Sequence, residues 1–225
     1  MNLLRDVVTY ICKIGLDLLC EVDVDEFKKI PKVGPAIIYA NHTGTIEAPI
    51  VYSNLYPRKI SGFGKAELWE KPFLNWLFNL WGIIPVNRGE MDTAALKEAY
   101  KKMDEGYFFG LAPEGTRSKG DQGLLPAKAG IVMLAIRNNP LIIPVAHWGG
   151  THFGTNIKKL KRTKISTRVG RSFRLNTSSG RVTKEIRQQM ADEMMYQIAM
   201  LLPENLRGAY SDMSKKTEEY LLFED

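Results

Sequence analysis

The polar residues among the first 20 positions are spaced for a helix. At about 100° per residue, Asn2, Arg5, Asp6, Thr9, Lys13 and Asp17 fall within an arc of roughly 120°. Leu, Val, Ile and Tyr fill most of the remainder. So broad an apolar face suits a helix lying in a bilayer interface, and equally one packed on the protein's own core. Downstream the period changes. After a turn around Pro31 to Pro35, the run Ala36-Ile37-Ile38-Tyr39-Ala40 reads as a short buried strand. It feeds into Asn41-His42-Thr43-Gly44, with a helix starting near Thr45 to Glu47. A second strand is expected over 58–62, and an aromatic helix over 66–81 with Trp69, Phe73, Trp76, Phe78 and Trp81. These aromatics suit the core, an acyl-chain slot or an interfacial anchor.

A brief strand is expected over 83–86. Residues 91–105 read as a helix capped by Asp92 and stopped at Gly106. An apolar strand over 107–112 runs into the polar turn Pro113-Glu114-Gly115-Thr116-Arg117. Then come a helix over 127–138, a strand over 141–146 and a last helix over 182–202. Strands alternating with helices predict one α/β domain, with a mostly parallel central sheet flanked by helices. The chain divides into an amphipathic segment 1–30, a main domain 31–210 and a charged tail 211–225, expected to be loosely held.

The length of 225 residues allows one sizeable core and crowds two. Lys and Arg number 31 against 25 Asp and Glu, a net charge of +6. Eight of the basic residues fall within 158–174, with no acidic residue: Lys158, Lys159, Lys161, Arg162, Lys164, Arg168, Arg171 and Arg174. That run fits either a solvated strand edge or anionic lipid headgroups. No helix-turn-helix, zinc finger or aromatic RNA-binding motif accompanies it, so nucleic acid is not an expected partner. Cys12 and Cys20 match no metal spacing, and they read as reduced thiols. His147 and His152 lack a Cys or carboxylate at useful spacing and read as structural, so no metal is expected. No stretch of 18 apolar residues is present, so no transmembrane helix is expected. Arg5, Asp6, Lys13 and Asp17 break the pattern of a signal peptide.

Two constellations can carry chemistry. His42 and Glu47 would point about 140° apart on a regular helix. They meet only if His42 sits in the loop and Glu47 in the first helical turn. A carboxylate on one ring nitrogen fixes the tautomer and leaves the other nitrogen as a general base. A histidine at a helix start can also be a simple cap. The second constellation is the turn from Pro113 to Arg117 together with Arg88. Gly115 allows close backbone approach, Thr116 can donate, and the arginines can hold a phosphate bidentately. Alone, it reads as a tight turn with a surface ion pair. In an α/β sheet the ends of the strands before His42 and Glu114 are where sites form.

Four blocks occur in order: Asn41-His42-x4-Glu47, Gly82 to Arg88, Pro113 to Ser118, and Ile143-Pro144-Val145. Lys65-Ala66-Glu67-Leu68, Lys128-Ala129-Gly130 and Leu202 to Gly208 add further matching text. The pattern resembles the glycerolipid acyltransferase family, whose members include 1-acylglycerol-3-phosphate acyltransferases, over about residues 35–210. The resemblance implies His42 as the catalytic base and Glu47 as its orienting acid. Arg88 would bind phosphate, Glu114 and Gly115 would help hold the glycerol phosphate head, and Thr116 and Arg117 would complete that block. The strand 143–145 would shape the acyl and acceptor site. The implied reaction moves a fatty acyl group from coenzyme A or acyl carrier protein to a lysophospholipid hydroxyl. It needs no cofactor and runs at the cytoplasmic face of a membrane, on an anionic surface. The family usually has Asp where this chain has Glu47, which leaves room for another acceptor, such as a lyso-aminolipid or a glycolipid. A non-catalytic lipid-binding protein on the same fold is the third reading.

Overall fold

The computed structural model describes residues 3–87, 92–118, 122–137, 139–178 and 180–224. The chain opens with α1 (Leu3–Leu19) and passes directly into β1 (Cys20–Val22). A helical turn leads to β2 (Ala36–Ala40), the loop 41–46 and α2 (Glu47–Leu55). Next come β3 (Ile60–Lys65), α3 (Pro72–Trp81), β4 (Ile84–Val86), α4 (Thr93–Asp104) and β5 (Phe108–Leu111). Then follow α5 (Val132–Ile136), β6 (Leu141–Trp148), α6 (Phe153–Lys158), β7 (Thr163–Val169) and β8 (Phe173–Leu175). The last elements are α7 (Lys184–Leu201) and β9 (Leu221–Phe223).

The strands form one sheet in the order β1-β7-β6-β2-β5-β3-β4, with β8 and β9 branching from β6. From β6 to β4 every neighbour is parallel, and β7, β8 and β9 supply the antiparallel edge. The expected single α/β domain is therefore the observed one. β2 lies between β5 and β6 and is covered on both sides, which is why its sequence is continuously apolar. Its side chains still alternate. Ile37 and Tyr39 enter the core under α4, α5 and α7, while Ala36 and Ile38 enter the one under α1, α2 and α3.

The structure redraws three expected elements. The stretch 66–81 splits at Lys71, because Pro72 takes the first helical position and biases the preceding residue to an extended conformation. The helix expected over 127–138 shrinks to α5 and one preceding turn, and Asn138 lies outside the described residues. Tertiary acceptors hold the amides before it: Leu125 on Glu114, Ala127 on the Tyr210 hydroxyl and Lys128 on the Pro113 carbonyl. The tail from 211 is held rather than loose. β9 pairs with β8, and the buried Glu193 carboxylate accepts the Thr217 hydroxyl and the Glu219 and Tyr220 amides. A distant residue in α7 provides that anchor, so the tail's own composition does not reveal it.

α1 inverts the usual arrangement of a surface helix. Its polar arc faces the protein: Thr9 is 1% exposed and accepts the Trp81 indole N–H, and Lys13 donates to Asn54. Its apolar face points outward, with Leu3 at 76%, Tyr10 at 62%, Ile11 at 61% and Leu18 at 69% exposure. Of the two readings left open by the sequence, packing on the core accounts for only the narrower polar side, with Leu16, Val8 and Cys12 beside it. Among the described residues no helix is long and apolar enough to cross a membrane.

Candidate active site

The site lies beyond the carboxyl ends of β2 and β5. β2 ends at Ala40, and Asn41 turns the chain. The Asn41 side chain donates to the His147 carbonyl and accepts the His147 amide, both at 2.8 Å. These two bonds lock the end of β2 to the end of β6. His42 follows, held by its backbone on two sides. Its amide donates to Glu114 Oε1 at 2.9 Å, and its carbonyl accepts the Ser118 amide at 2.9 Å. Both partners belong to the turn after β5, so the two constellations named from sequence form one structure.

Glu47 is the first residue of α2 and is 4% exposed. Its Oε2 stands 3.5 Å from His42 Nδ1 and accepts the Gly44 amide at 3.0 Å. Its Oε1 accepts the Thr43 hydroxyl at 2.6 Å. Burial opposes the charge on Glu47, but the hydrogen bonds from His42 and Thr43 and the nearby imidazoles outweigh it and hold the carboxyl below its ordinary value. The carboxylate facing His42 Nδ1 is therefore ionised. Two close approaches make room for its length. A Cβ on Gly44 would come within 3.0 Å of Glu47 Oε1, and one on Gly150 within 3.1 Å.

The other ring nitrogen, His42 Nε2, accepts a hydrogen bond from Arg117 Nε at 3.2 Å. An acceptor at Nε2 requires the proton to be on Nδ1, toward Glu47. This is the tautomer a general base needs.

Glu114 behaves differently from what the resemblance implies. It is 2% exposed, and both oxygens are taken by backbone amides: Oε1 by His42 and Oε2 by Leu125 at 3.0 Å. Burial raises its pKa, partly offset by those two amides. A carboxylate so engaged positions the His42 loop. Gly115 adopts φ +64°, which a side chain would strain, and its amide closes the turn on the Ala112 carbonyl. Thr116 and Arg117 are exposed at the tip. Arg88 lies outside the described residues.

His147 sits behind the pair. It is 1% exposed, its Nδ1 is 3.0 Å from Thr167 Oγ1, and burial pushes its imidazole down to about 4, with Glu47 opposing. Among the described residues no group of three or more His, Cys, Asp or Glu is placed to hold a metal ion. The structure adds Asn41, Thr43, Gly44 and Gly150 to the residues read as functional from sequence. Thr43 could have been found from its position four before Glu47. Gly150 could not, since it arrives from the end of β6, more than a hundred residues away.

A family model described as Acyltransferase matches residues 21–148, which span both constellations. A 1-acyl-sn-glycerol-3-phosphate acyltransferase of Borreliella burgdorferi is 31% identical over 128 residues, 56% of this chain and 50% of that one. The match thus spans about half the length of that relative. The enzyme of the same name from Helicobacter pylori is 29% identical over 167 residues, covering 72% of this chain and 69% of its own. The crystal structure of the 1-acyl-sn-glycerophosphate acyltransferase PlsC from Thermotoga maritima superposes with a TM-score of 0.64 over 95% of this chain and 80% of that one, at 22% identity. That likeness shows a shared fold. With its histidine and carboxylate joined across one loop and the family model covering more than half its length, the chain belongs to the Acyltransferase family.

Proposed function

We propose that the protein transfers a fatty acyl group from a thioester, acyl-CoA or acyl carrier protein, to the free hydroxyl of a 1-acylglycerol-3-phosphate, giving phosphatidic acid. The observation that carries this reading is His42, with Nδ1 directed at an ionised, buried Glu47 and Nε2 on the open side of the loop. The acceptor hydroxyl gives its proton to Nε2 as its oxygen attacks the thioester carbonyl. The tetrahedral intermediate collapses, the carbon–sulfur bond breaks, and the leaving thiolate takes the proton from His42. Arg117, together with Arg88, is the cation set for the acceptor phosphate.

A lipid acceptor requires a membrane surface, and the outward face of α1 supports one. Each of its apolar side chains gains roughly 1.5–3 kcal/mol on full burial. Arg162 ties the turn after α6 to the Asp17 and Cys20 carbonyls where α1 passes into β1, so Leu160, 97% exposed, and the neighbouring Lys158, Lys159 and Lys161 join that region. Lysines beside apolar side chains fit the cytoplasmic face of an anionic bilayer.

The test is thiol release from acyl-CoA and from acyl carrier protein with a panel of acceptors, with the lipid products identified by mass spectrometry. Wild-type protein is expected to form phosphatidic acid and His42→Ala to form none. A near-wild-type rate in His42→Ala overturns the mechanism, and a different acylated product reassigns the acceptor.

A further inference from the structure

We infer that Arg117 is a substrate-operated cap on His42: its guanidinium occupies Nε2 until the phosphate of an acceptor draws it away. This rests on the acyl-transfer reading above and deepens it.

The nitrogen that must receive the acceptor's proton is already hydrogen-bonded, at 3.2 Å, to a cationic donor. While that bond stands, the Nε2 lone pair cannot act on a hydroxyl. The backbone around Arg117 is pinned to the histidine. Ser118, the next residue, donates to the His42 carbonyl, and Gly115 closes the turn two residues before. The side chain itself is exposed to solvent, where a ligand can reach it.

The two nearby carboxylates do not compete for the guanidinium. Glu47 is satisfied by Thr43, Gly44 and His42, and Glu114 by two backbone amides. A phosphate can compete. It carries full negative charge and offers the guanidinium fork two oxygens at once, whereas the neutral imidazole offers a single lone pair. An acceptor with a phosphate therefore moves Arg117 from nitrogen to oxygen and frees the base at the moment its own hydroxyl arrives.

The cap explains how a base on an open loop avoids wasting the donor. Uncapped, His42 can take a proton from water. The hydroxide oxygen then attacks the thioester, the carbon–sulfur bond breaks, and free fatty acid and thiol leave, the thiolate receiving the proton. Capped, that hydrolysis is suppressed until a phosphate-bearing alcohol binds. Arg117 is thus a specificity residue as well as a phosphate ligand.

Diethyl pyrocarbonate labelling of His42, quantified by peptide mass spectrometry, reads the cap without any turnover. Arg117→Ala is expected to label His42 about fivefold faster or more than wild type, the worth of one exposed charge-assisted bond. Inorganic phosphate is expected to raise the wild-type rate toward that of the variant. Equal labelling of wild type and variant overturns the cap, and phosphate that leaves wild-type labelling unchanged or slower overturns its release. Arg117→Lys keeps the charge without the planar Nε donor and serves if the alanine variant does not fold. It is expected to label faster than wild type.

The second readout is thiol release from acyl-CoA without acceptor, set against release with acceptor. Arg117→Ala is expected to raise the first at least about fivefold and lower the second, whereas a merely damaged site lowers both. If wild type transfers to no acceptor, the acyltransferase reading fails while the labelling still decides the cap. If wild type transfers normally and the variant shows no gain in hydrolysis, the cap alone fails.

Discussion

The sharpest test of the site is Glu114→Gln, because geometry and family resemblance assign Glu114 different work. In the structure both carboxylate oxygens are spent on backbone amides, those of His42 at 2.9 Å and Leu125 at 3.0 Å. Glutamine is nearly isosteric, but it offers one oxygen and one NH2. Whichever way it sits, an N–H donor faces an N–H donor in a place that is 2% exposed. A lost charge-assisted bond and a buried unsatisfied amide together cost about 1.5–3 kcal/mol. For a chain of this size that lowers Tm by about 3–12 °C. The His42 amide, or the Leu125 segment on the other carboxylate oxygen, must shift to relieve the clash. A displacement near 1 Å in a catalytic group is worth up to about 10²-fold in rate. The expected outcome is a fall in kcat of about ten- to a hundredfold, a lower Tm, and an acceptor KM within about twofold of wild type. Steady-state kinetics over acceptor concentration, with thermal unfolding of the same preparation, measure all three. If KM for the acceptor rises about tenfold while kcat and Tm hold, Glu114 is a substrate ligand and the positioning argument is wrong.

Three other outcomes are expected. Glu47→Asp withdraws the carboxylate from Thr43 Oγ1, now at 2.6 Å, and from His42 Nδ1, so turnover is expected to fall about tenfold although Asp is the commoner family residue; unchanged turnover would show that this loop does not depend on the longer acid. His147 is held neutral by burial, its pKa pushed down to about 4 against an unfolded value of 6.5, so the unfolded state binds the extra proton between those values and stability is lost as pH drops through that window. At pH 5 the loss is about 2 kcal/mol, and thermal unfolding at pH 7 and pH 5 is expected to show a smaller drop for His147→Gln than for wild type. Glu193→Ala frees the Glu219 and Tyr220 amides, which are expected to exchange hydrogen about tenfold faster or more while the β2 amides keep their rates; unchanged exchange at 219 and 220 counts against the anchor.

Much of the fold was legible in the chain because it is local. The Asp92 cap accepts the Ala95 amide, α4 stops at Gly106 with φ +81°, and the apolar run of β2 names a strand buried on both faces. The order of strand and helix was enough to foresee the parallel sheet, and with it the place of His42 and Glu114 beyond strand ends. Other features depend on residues far apart in sequence, and no periodicity reports them. The C-terminal segment is charged and reads as loose, yet Glu193 in α7 anchors it. The apolar face of α1 suits a bilayer interface or the protein's own core by pattern alone, and only Trp81 and Asn54, which cover its polar stripe, turn that face outward. At the site, residue types and their order were enough to name His42 and Glu47. Only the packing of the two loops decided that Glu114 spends both oxygens on the backbone, that glycines 44 and 150 leave room for a glutamate, and that Arg117 rests on His42 Nε2. The physical reason is the same in each case. A sequence pattern records which way a side chain points on its own element, whereas the partner that satisfies a buried charge or covers a ring nitrogen comes from whichever element the sheet brings alongside.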